Sequence, residues 1–420
     1  MIERTTSQRE QLLRQIAQRH GTPTFVYFMD EVQRRIESLR EAFGGTLGVS
    51  YAMKCNPNAD VLVRMRNWVD TLDVSSRGEL ERGLAAGFPA HRISFTGPAK
   101  ARRCLELSVE HEIGEVVLES VREARQLSAI ASERGKTQQV LVRIAPNRVP
   151  KGFGSHMAGR PCQFGIDEED LETELPEILA LPGLTLQGFH IYSGTQCLKA
   201  DAVAENYEIF LALFRQASAL CGLSPKKLVL GSGLGIRYHD GDVALDLARL
   251  AALVRPSLQA FQAEPRFAAT TMLLETGRYL IGEAGVYLSR VVNRKHSRGS
   301  EIATLDGGMQ HHLGACGHLG MVIHKPYRMH KLQTVASGAD ETLHSYDLYG
   351  PLCTSIDVLG RGVKLAKLEL DDVVAIESSG AYGPSASPGG FISHDPPTEV
   401  LVDAGPYGPE IVVSSPPCLE

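Results

Sequence analysis

Between residues 49 and 277 one pattern recurs: a short apolar run, a polar loop, a stretch of 3.6-residue periodicity, then another apolar run. This pattern constrains the fold most, because parallel strands need long crossovers and a sheet covered on both faces. The strand candidates are 49–54 (VSYAMK), 71–76 (TLDVSS), 93–97 (ISFTG), 115–120 (EVVLES), 140–145 (VLVRIA), 186–194 (LQGFHIYSG), 227–233 (KLVLGSG) and 272–277 (MLLETG). Helical periodicity is clearest over 121–134 and 201–220. Eight such units suit a closed parallel β/α barrel, and a doubly wound open sheet shows the same alternation.

The flanks read differently. The first twenty or so residues form an amphipathic pattern ended by Gly21 and Pro23, then a strand at 24–28 and a helix at 31–43. After Gly285 the helical period fades. Runs such as GVYLSRVVNRK, EIATLDGG, DVVAIESSGAY and TEVLVDAG, punctuated by Gly, Pro and Asp, predict an all-β domain. Residues 308–345 fit neither pattern and read as a long functional loop, and the last dozen residues as a frayed tail. The expected organisation is 1–28 as a helix and strand joining the β domain, 29–284 as the barrel, and 285–420 as the β domain.

Composition excludes some classes of function. At 420 residues the chain is too long for one ordinary core, and 43% hydrophobic with 22% charged residues is ordinary for a globular protein. A net charge of −6 gives no reason to expect nucleic acid or an anionic membrane as a partner. The start lacks a signal-peptide core, and no apolar run reaches the length of a membrane span, so the expected location is cytoplasmic. Eight cysteines (Cys55, Cys104, Cys162, Cys197, Cys221, Cys316, Cys353, Cys418) are scattered without a CxxC pair, which suits reduced thiols. The cluster His311, His312, Cys316 and His318 lies in a glycine-rich, loop-like stretch, and no metal site is expected there.

In a parallel barrel the chemistry lies at the C-terminal ends of the strands, and the polar oddities of this sequence fall there. Lys54 ends the first strand after the apolar run 47–53, with Pro57 stopping it. A lysine amine becomes nucleophilic when an apolar site lowers its pKa; a lysine snorkelling to water is the ordinary alternative. His190 and Ser193 end the sixth strand, Gly231-Ser232-Gly233-Leu234-Gly235 the seventh, and Glu275-Thr276-Gly277-Arg278 the eighth. Singly these read as a core histidine, a tight turn and a surface ion pair. Together they describe a phosphate-bearing aromatic cofactor. Glycines let N–H groups approach phosphate, Arg278 can fork two donors onto it, and Glu275 can keep a pyridine nitrogen protonated.

The stretch YAMKCNPN (51–58) resembles the cofactor-lysine motif of the fold-type III pyridoxal-phosphate decarboxylases, the ornithine and diaminopimelate decarboxylase group. FHIYSG (189–194), GSGLGI (231–236), ETGRY (275–279), GPLCTSID (350–357) and SGAYG (379–383) resemble further motifs of that family, spread over nearly the whole chain. The resemblance implies a (β/α)8 TIM-type barrel with a C-terminal β-sandwich, Greek-key-like, and pyridoxal 5′-phosphate as cofactor. It implies Lys54 as covalent anchor, His190 stacked on the ring, Glu275 at the pyridine nitrogen, and Ser193, Gly231, Ser232, Gly233, Arg278 and Tyr382 toward the phosphate. Thr276 and Gly277 fall in the same motif, and Asp73 and Arg143 match polar positions near the cofactor. Cys353 is implied as a proton donor reaching the neighbouring subunit of a homodimer with shared active sites.

The departures bear on substrate. Ser232 replaces a glycine, so either its backbone conformation is tolerated or its hydroxyl adds a donor; Thr276 replaces a proline. Thr354 stands where ornithine and diaminopimelate decarboxylases place an acid that holds a distal ammonium. Gly307-Gly308-Met309 leads into QHHLGACGH, with no arginine before Arg328. Both argue against a substrate with an amino-acid group at its far end. The combination resembles a subgroup acting on amino acids tethered to a carrier protein, with relatives in exopolysaccharide-associated clusters. The expected activity is α-decarboxylation of such an amino acid. Alternatives are a decarboxylase of free diaminopimelate, ornithine or lysine, a racemase on the same barrel, and a non-catalytic cofactor-binding protein.

Overall fold

The computed structural model describes residues 5–319, 324–332, 342–405 and 408–414. It contains two compact units: Arg35–Gly235 with Ala244–Gly277, and Met1–Arg34 with Ile236–Val243 and Arg278–Glu420.

The first unit is a closed barrel. Its strands are β1 (Gly48–Ala52), β2 (Thr71–Val74), β3 (Ile93–Phe95), β4 (Glu115–Leu118), β5 (Gln138–Ala145), β6 (Leu184–Ile191), β7 (Lys227–Gly231) and β8 (Thr271–Thr276). Each pairs in parallel with the next. β8 returns to β1 with Leu274 beside Val49 and Glu275 beside Ser50, which rules out the open sheet. Several strands stop earlier than the apolar runs suggest, and the reason is capping. Ser76 and Ser120, still extended in backbone, accept the N–H groups of Glu79 and Glu123 through their side chains, starting the helices Arg77–Ala85 and Val121–Glu133. β1 likewise ends at Ala52, and Met53–Cys55 is a single 3-10 turn, so Lys54 sits in that turn rather than on the strand.

Val117, Leu141, Val229 and Leu273 form one apolar cluster. They come from β4, β5, β7 and β8, so they meet across the barrel interior. Side chains two apart on a strand share a face. The next inward positions are therefore Glu119, Arg143, Gly231 and Glu275, and His190, paired with Val229, points inward as well. An apolar layer thus gives way, one step toward the C-terminal rim, to a layer of polar groups.

The second unit is a mostly antiparallel sheet. Thr24–Phe28 lies between Gly285–Ser297 (antiparallel) and Thr398–Gly405 (parallel). Leu12, Leu13, Ile16 and Ala17 of the helix Thr6–His20 pack on Val26, Phe28, Val286, Leu288, Val400 and Val402. Thr5 and Gln8 close a reciprocal capping box at its start.

Some strands here escape a sequence reading. His344–Tyr349 and Val358–Leu365 pair with each other, though polar residues and Gly360 and Gly362 obscure their period. Met329–Lys331 pairs with Val373–Ile376 inside the stretch expected to be loop, whose residues 320–323 and 333–341 lie outside those described. Gly408–Ser414 pairs with Thr398–Gly405, so half of the expected tail is a strand; 415–420, with Cys418, lie outside the described residues. Among the described residues no helix is long and apolar enough to cross a membrane.

Leu13 is fully buried in the cluster that joins this helix to the sheet. Leu13→Ala should lower stability by about 2–4 kcal/mol, read as a shift in the urea midpoint at unchanged m-value.

Candidate active site

The polar layer of the barrel converges on Lys54. Its Nζ lies 3.7 Å from Asp73 Oδ2 and 3.8 Å from Glu275 Oε1, and 5.7 Å from the centre of the Tyr192 ring. The apolar site expected around this amine is absent: its side chain is 38% exposed and flanked by two buried carboxylates. Gly277 lets the turn approach β8, since a Cβ there would sit 2.8 Å from Cys55 Sγ and 2.9 Å from Ala52 O.

Environment separates the two carboxylates. Burial pushes both upward, but at Glu275 it is outweighed. His190 Nε2 donates to Glu275 Oε2 at 2.8 Å, and with Lys54 and Arg143 it holds the carboxyl down at about 2. Asp73 has less compensation. Burial and the neighbouring Glu275 raise it well above the usual carboxylate range, against the pull of Lys54 and a 2.5 Å hydrogen bond donated by Thr96 Oγ1 to Oδ1. Arg143 is tied to Glu119 at 3.0 Å and donates to the Tyr192 carbonyl at 3.3 Å. Glu119 also accepts the N–H groups of Gly97 and Gly165, so it fixes Arg143 and two loops at once.

Around the glycine loop, Ser193 Oγ donates to Asn206 Oδ1 at 2.8 Å. Ser232 N–H donates to the Glu275 carbonyl, its own carbonyl accepts from Tyr207 Oη, and its Oγ accepts from Leu234 N–H at 3.4 Å. Ser232 does not adopt a left-handed backbone. Its conformation is therefore the tolerated kind, and its hydroxyl serves the loop itself. A Cβ on Gly231 would lie 2.4 Å from the Tyr192 ring, and one on Gly233, at φ +67°, 2.5 Å from Phe153.

The β unit holds a separate cluster. Arg278 Nη1 donates to Tyr238 Oη at 2.6 Å, and its guanidinium lies 4.6 Å from the centre of the Tyr382 ring. Tyr238 in turn packs on Tyr327, ring centres 4.6 Å apart. Cys353 is exposed on a loop anchored by buried Asp357. The Asp357 carboxylate accepts from Met309 N–H at 2.7 Å and Leu352 N–H at 2.9 Å. Gly308 and Gly350 leave it room, since a Cβ on either would lie 2.3 Å from it.

His311 accepts from Tyr287 Oη and donates to the Asp395 carbonyl, while His312 donates to Ser379 Oγ and is held neutral, its pKa driven by burial to about 3. His318 donates to the Ile356 carbonyl. Among the described residues no group of three or more His, Cys, Asp or Glu side chains could hold a metal ion.

The sequence profile described as "Pyridoxal-dependent decarboxylase, pyridoxal binding domain" matches residues 29–282. An L-glutamyl-(BtrI acyl-carrier protein) decarboxylase of Niallia circulans is 34% identical over 93% of this chain and 91% of its own. The chain belongs to the pyridoxal-dependent decarboxylases. A Staphylococcus aureus relative, 2-((L-alanin-3-ylcarbamoyl)methyl)-2-hydroxybutanedioate decarboxylase, is 28% identical to this decarboxylase over 91% of the chain and 94% of its own. Diaminopimelate decarboxylase from Helicobacter pylori, solved with L-lysine, has the same fold: TM-score 0.83 at 24% identity, covering 96% of this chain and 95% of that one. The enzyme is therefore a pyridoxal-phosphate-dependent amino-acid decarboxylase.

Its own residues fit that cofactor. Asp73 Oδ2, His190 Nδ1 and Asn206 Nδ2 in the barrel are buried without a hydrogen-bond partner. Such atoms are costly to bury unless a ligand meets them. Thr96, Glu119, Asn206, Tyr238 and Asp357 were not singled out from sequence. Asp357 and Tyr238 could have been, since one closes the GPLCTSID segment and the other follows GSGLGI by two residues.

The depressed Glu275 gives a pH signature. Its charge contributes stability in full above its ordinary 4.5, and that contribution is lost as pH falls toward about 2. Glu275→Gln should therefore be less stable than the parent near neutrality, with the deficit narrowing below about pH 4.5. Urea unfolding at a series of pH values checks this; a deficit that stays constant into acid means that Glu275 is not held ionised.

Proposed function

We propose that this enzyme α-decarboxylates an amino acid tethered to an acyl or peptidyl carrier protein, in a secondary-metabolite or exopolysaccharide-type pathway of the cytoplasm. The observation that carries the reading is the relative named for glutamyl-carrier decarboxylation, which matches over nearly the full length of both chains. Thr354 agrees with it. A distal ammonium would find no carboxylate at that position, and an unpaired charge in a closed site is strongly disfavoured. The S. aureus relative's name also describes an amino acid, alanine, substituted through its far end.

When bound, pyridoxal phosphate supplies an electron sink for the pair left behind by CO₂. The chain's residues do the rest. Lys54 would hold the cofactor covalently through its amine. Glu275, ionised and fixed by His190, would keep the ring nitrogen protonated, and His190 would lie against the ring. Asp73 and Arg143 line the site. Ser193, Gly231, Ser232, Gly233, Thr276, Gly277, Arg278 and Tyr382 bind the phosphate and the ring edge. Cys353, supplied by the second subunit of a homodimer, returns a proton to the carbon that lost CO₂.

CO₂ release tests the substrate. Glutamate and related amino acids loaded on a carrier protein should be turned over at least about a hundredfold faster, in kcat/KM, than the same amino acids free or than free diaminopimelate, ornithine and lysine. Faster turnover of free diaminopimelate would replace this reading with the simpler one.

Subunit exchange tests the origin of Cys353. A random mixture of inactive Lys54→Ala and Cys353→Ala dimers contains about half heterodimers, each with one intact site, so recovery should approach about a quarter of parental activity. No recovery after exchange shown by tagged subunits means that Cys353 serves its own chain.

A further inference from the structure

Lys54 can attack a carbonyl carbon only as a neutral amine, so its ammonium proton needs an acceptor. Two carboxylates lie almost equally near, Asp73 Oδ2 at 3.7 Å and Glu275 Oε1 at 3.8 Å. A rotation of the flexible lysine side chain brings either into reach. Their other contacts decide between them. Glu275 is committed as an anion, with Oε2 accepting from His190 and the positive charges of Lys54 and Arg143 favouring ionisation. Protonating it would break the buried arrangement that keeps it charged.

Asp73 is placed for the opposite role. It is 2% exposed, and its Oδ1 accepts the Thr96 hydroxyl at 2.5 Å while Oδ2, the oxygen facing Lys54, has no hydrogen-bond partner. The Thr96 bond survives in either state, because Oδ1 accepts whether the carboxyl is charged or protonated on Oδ2. Thr96 therefore directs the proton to Oδ2. Glu79 is the remaining charged group felt by Asp73, and its Oε2 is occupied by the Ser75 N–H at 2.7 Å. Burial and the facing Glu275 favour the protonated form of Asp73.

We infer that Asp73, oriented by Thr96, is the base that takes the proton from Lys54 when the amine engages the cofactor, and that it returns the proton when the amine is released. One N–H bond breaks and one O–H bond forms. The nitrogen keeps its electron pair for the aldehyde carbon, and reversal restores the ammonium and the carboxylate. No redox partner is needed. Thr96 is thus a positioning residue. The inference rests on the proposed role of Lys54 as covalent anchor.

The test follows capture of the cofactor by the full-length protein stripped of it, with no substrate present. Pyridoxal phosphate is added, borohydride fixes the adduct at timed intervals, and peptide mapping quantifies label on Lys54 across about pH 6 to 10. Asp73→Asn should capture about tenfold or more slowly near neutral pH and regain the parental rate as pH approaches the ordinary lysine range, about 10.4. Thr96→Val should show the same upward shift in smaller degree, and Thr96→Ser should restore the parental profile. Asp73→Asn with the parental rate and profile overturns the inference, as does a slowing that is the same at every pH, which marks a merely structural role. If Asp73→Asn does not fold, the Thr96 pair decides: a parental profile in Thr96→Val overturns it. A parent in which Lys54 takes no label overturns the anchor role itself, a different failure from unaltered variants of a labelled parent.

Discussion

A charged carboxylate inside a barrel must be compensated or it will protonate, and Glu275 is compensated from two strands and a turn. His190 on β6 donates a hydrogen bond, and Arg143 on β5 and Lys54 after β1 supply positive charge. Each of these groups is then held by something else. Glu119 fixes Arg143 together with the Gly97 and Gly165 backbones. The Glu275 carbonyl holds Ser232 in the glycine loop. The rim is a set of mutual constraints around one ionised group, and it stands on an apolar layer formed by the same inward-facing positions two residues earlier.

The closed ring makes this possible. Lys54 after β1 and Asp73 on β2 reach Glu275 because β8 pairs back to β1; in an open sheet the carboxylate would lie near an edge, with fewer strands to supply partners. Short strands help too. By ending β2 and β4 at Val74 and Leu118, the serine caps start the helices directly after these strands, and Asp73 and Glu119 each stand one residue from a strand end.

Much of this was legible beforehand. Apolar alternation located all eight barrel strands, because buried parallel strands announce themselves as short continuous runs. Lys54, His190, Glu275 and the glycine loop were visible because polar residues at the ends of such runs are out of place. What escaped was the environment. Nothing in the local sequence says that Asp73 and Glu275, some two hundred residues apart, flank the same amine, so the apolar setting expected for Lys54 was mistaken. Thr96 and Asn206 went unread for the same reason: their importance lies in the partner, and the partner is distant in the chain. In the β unit, strands such as His344–Tyr349 are patterned by one-sided burial with polar interruptions, a weaker signal than a continuous apolar run.

The Asp357 anchor divides its loop into a part that is fixed and a part that is not. One carboxylate gathers Met309 and Leu352, with glycines at 308 and 350 giving it room, so either end of the segment can change only if the other changes with it. Between these ends, Cys353, Ser355 and Ile356 are exposed and Thr354 is half-buried, and the anchor asks nothing of their side chains. A lineage can therefore exchange the residue at 354 by single substitutions that leave the anchor untouched. Scaffold and loop surface are mutationally separable here, and the boundary between them runs between Leu352, held by the anchor, and the exposed thiol of Cys353.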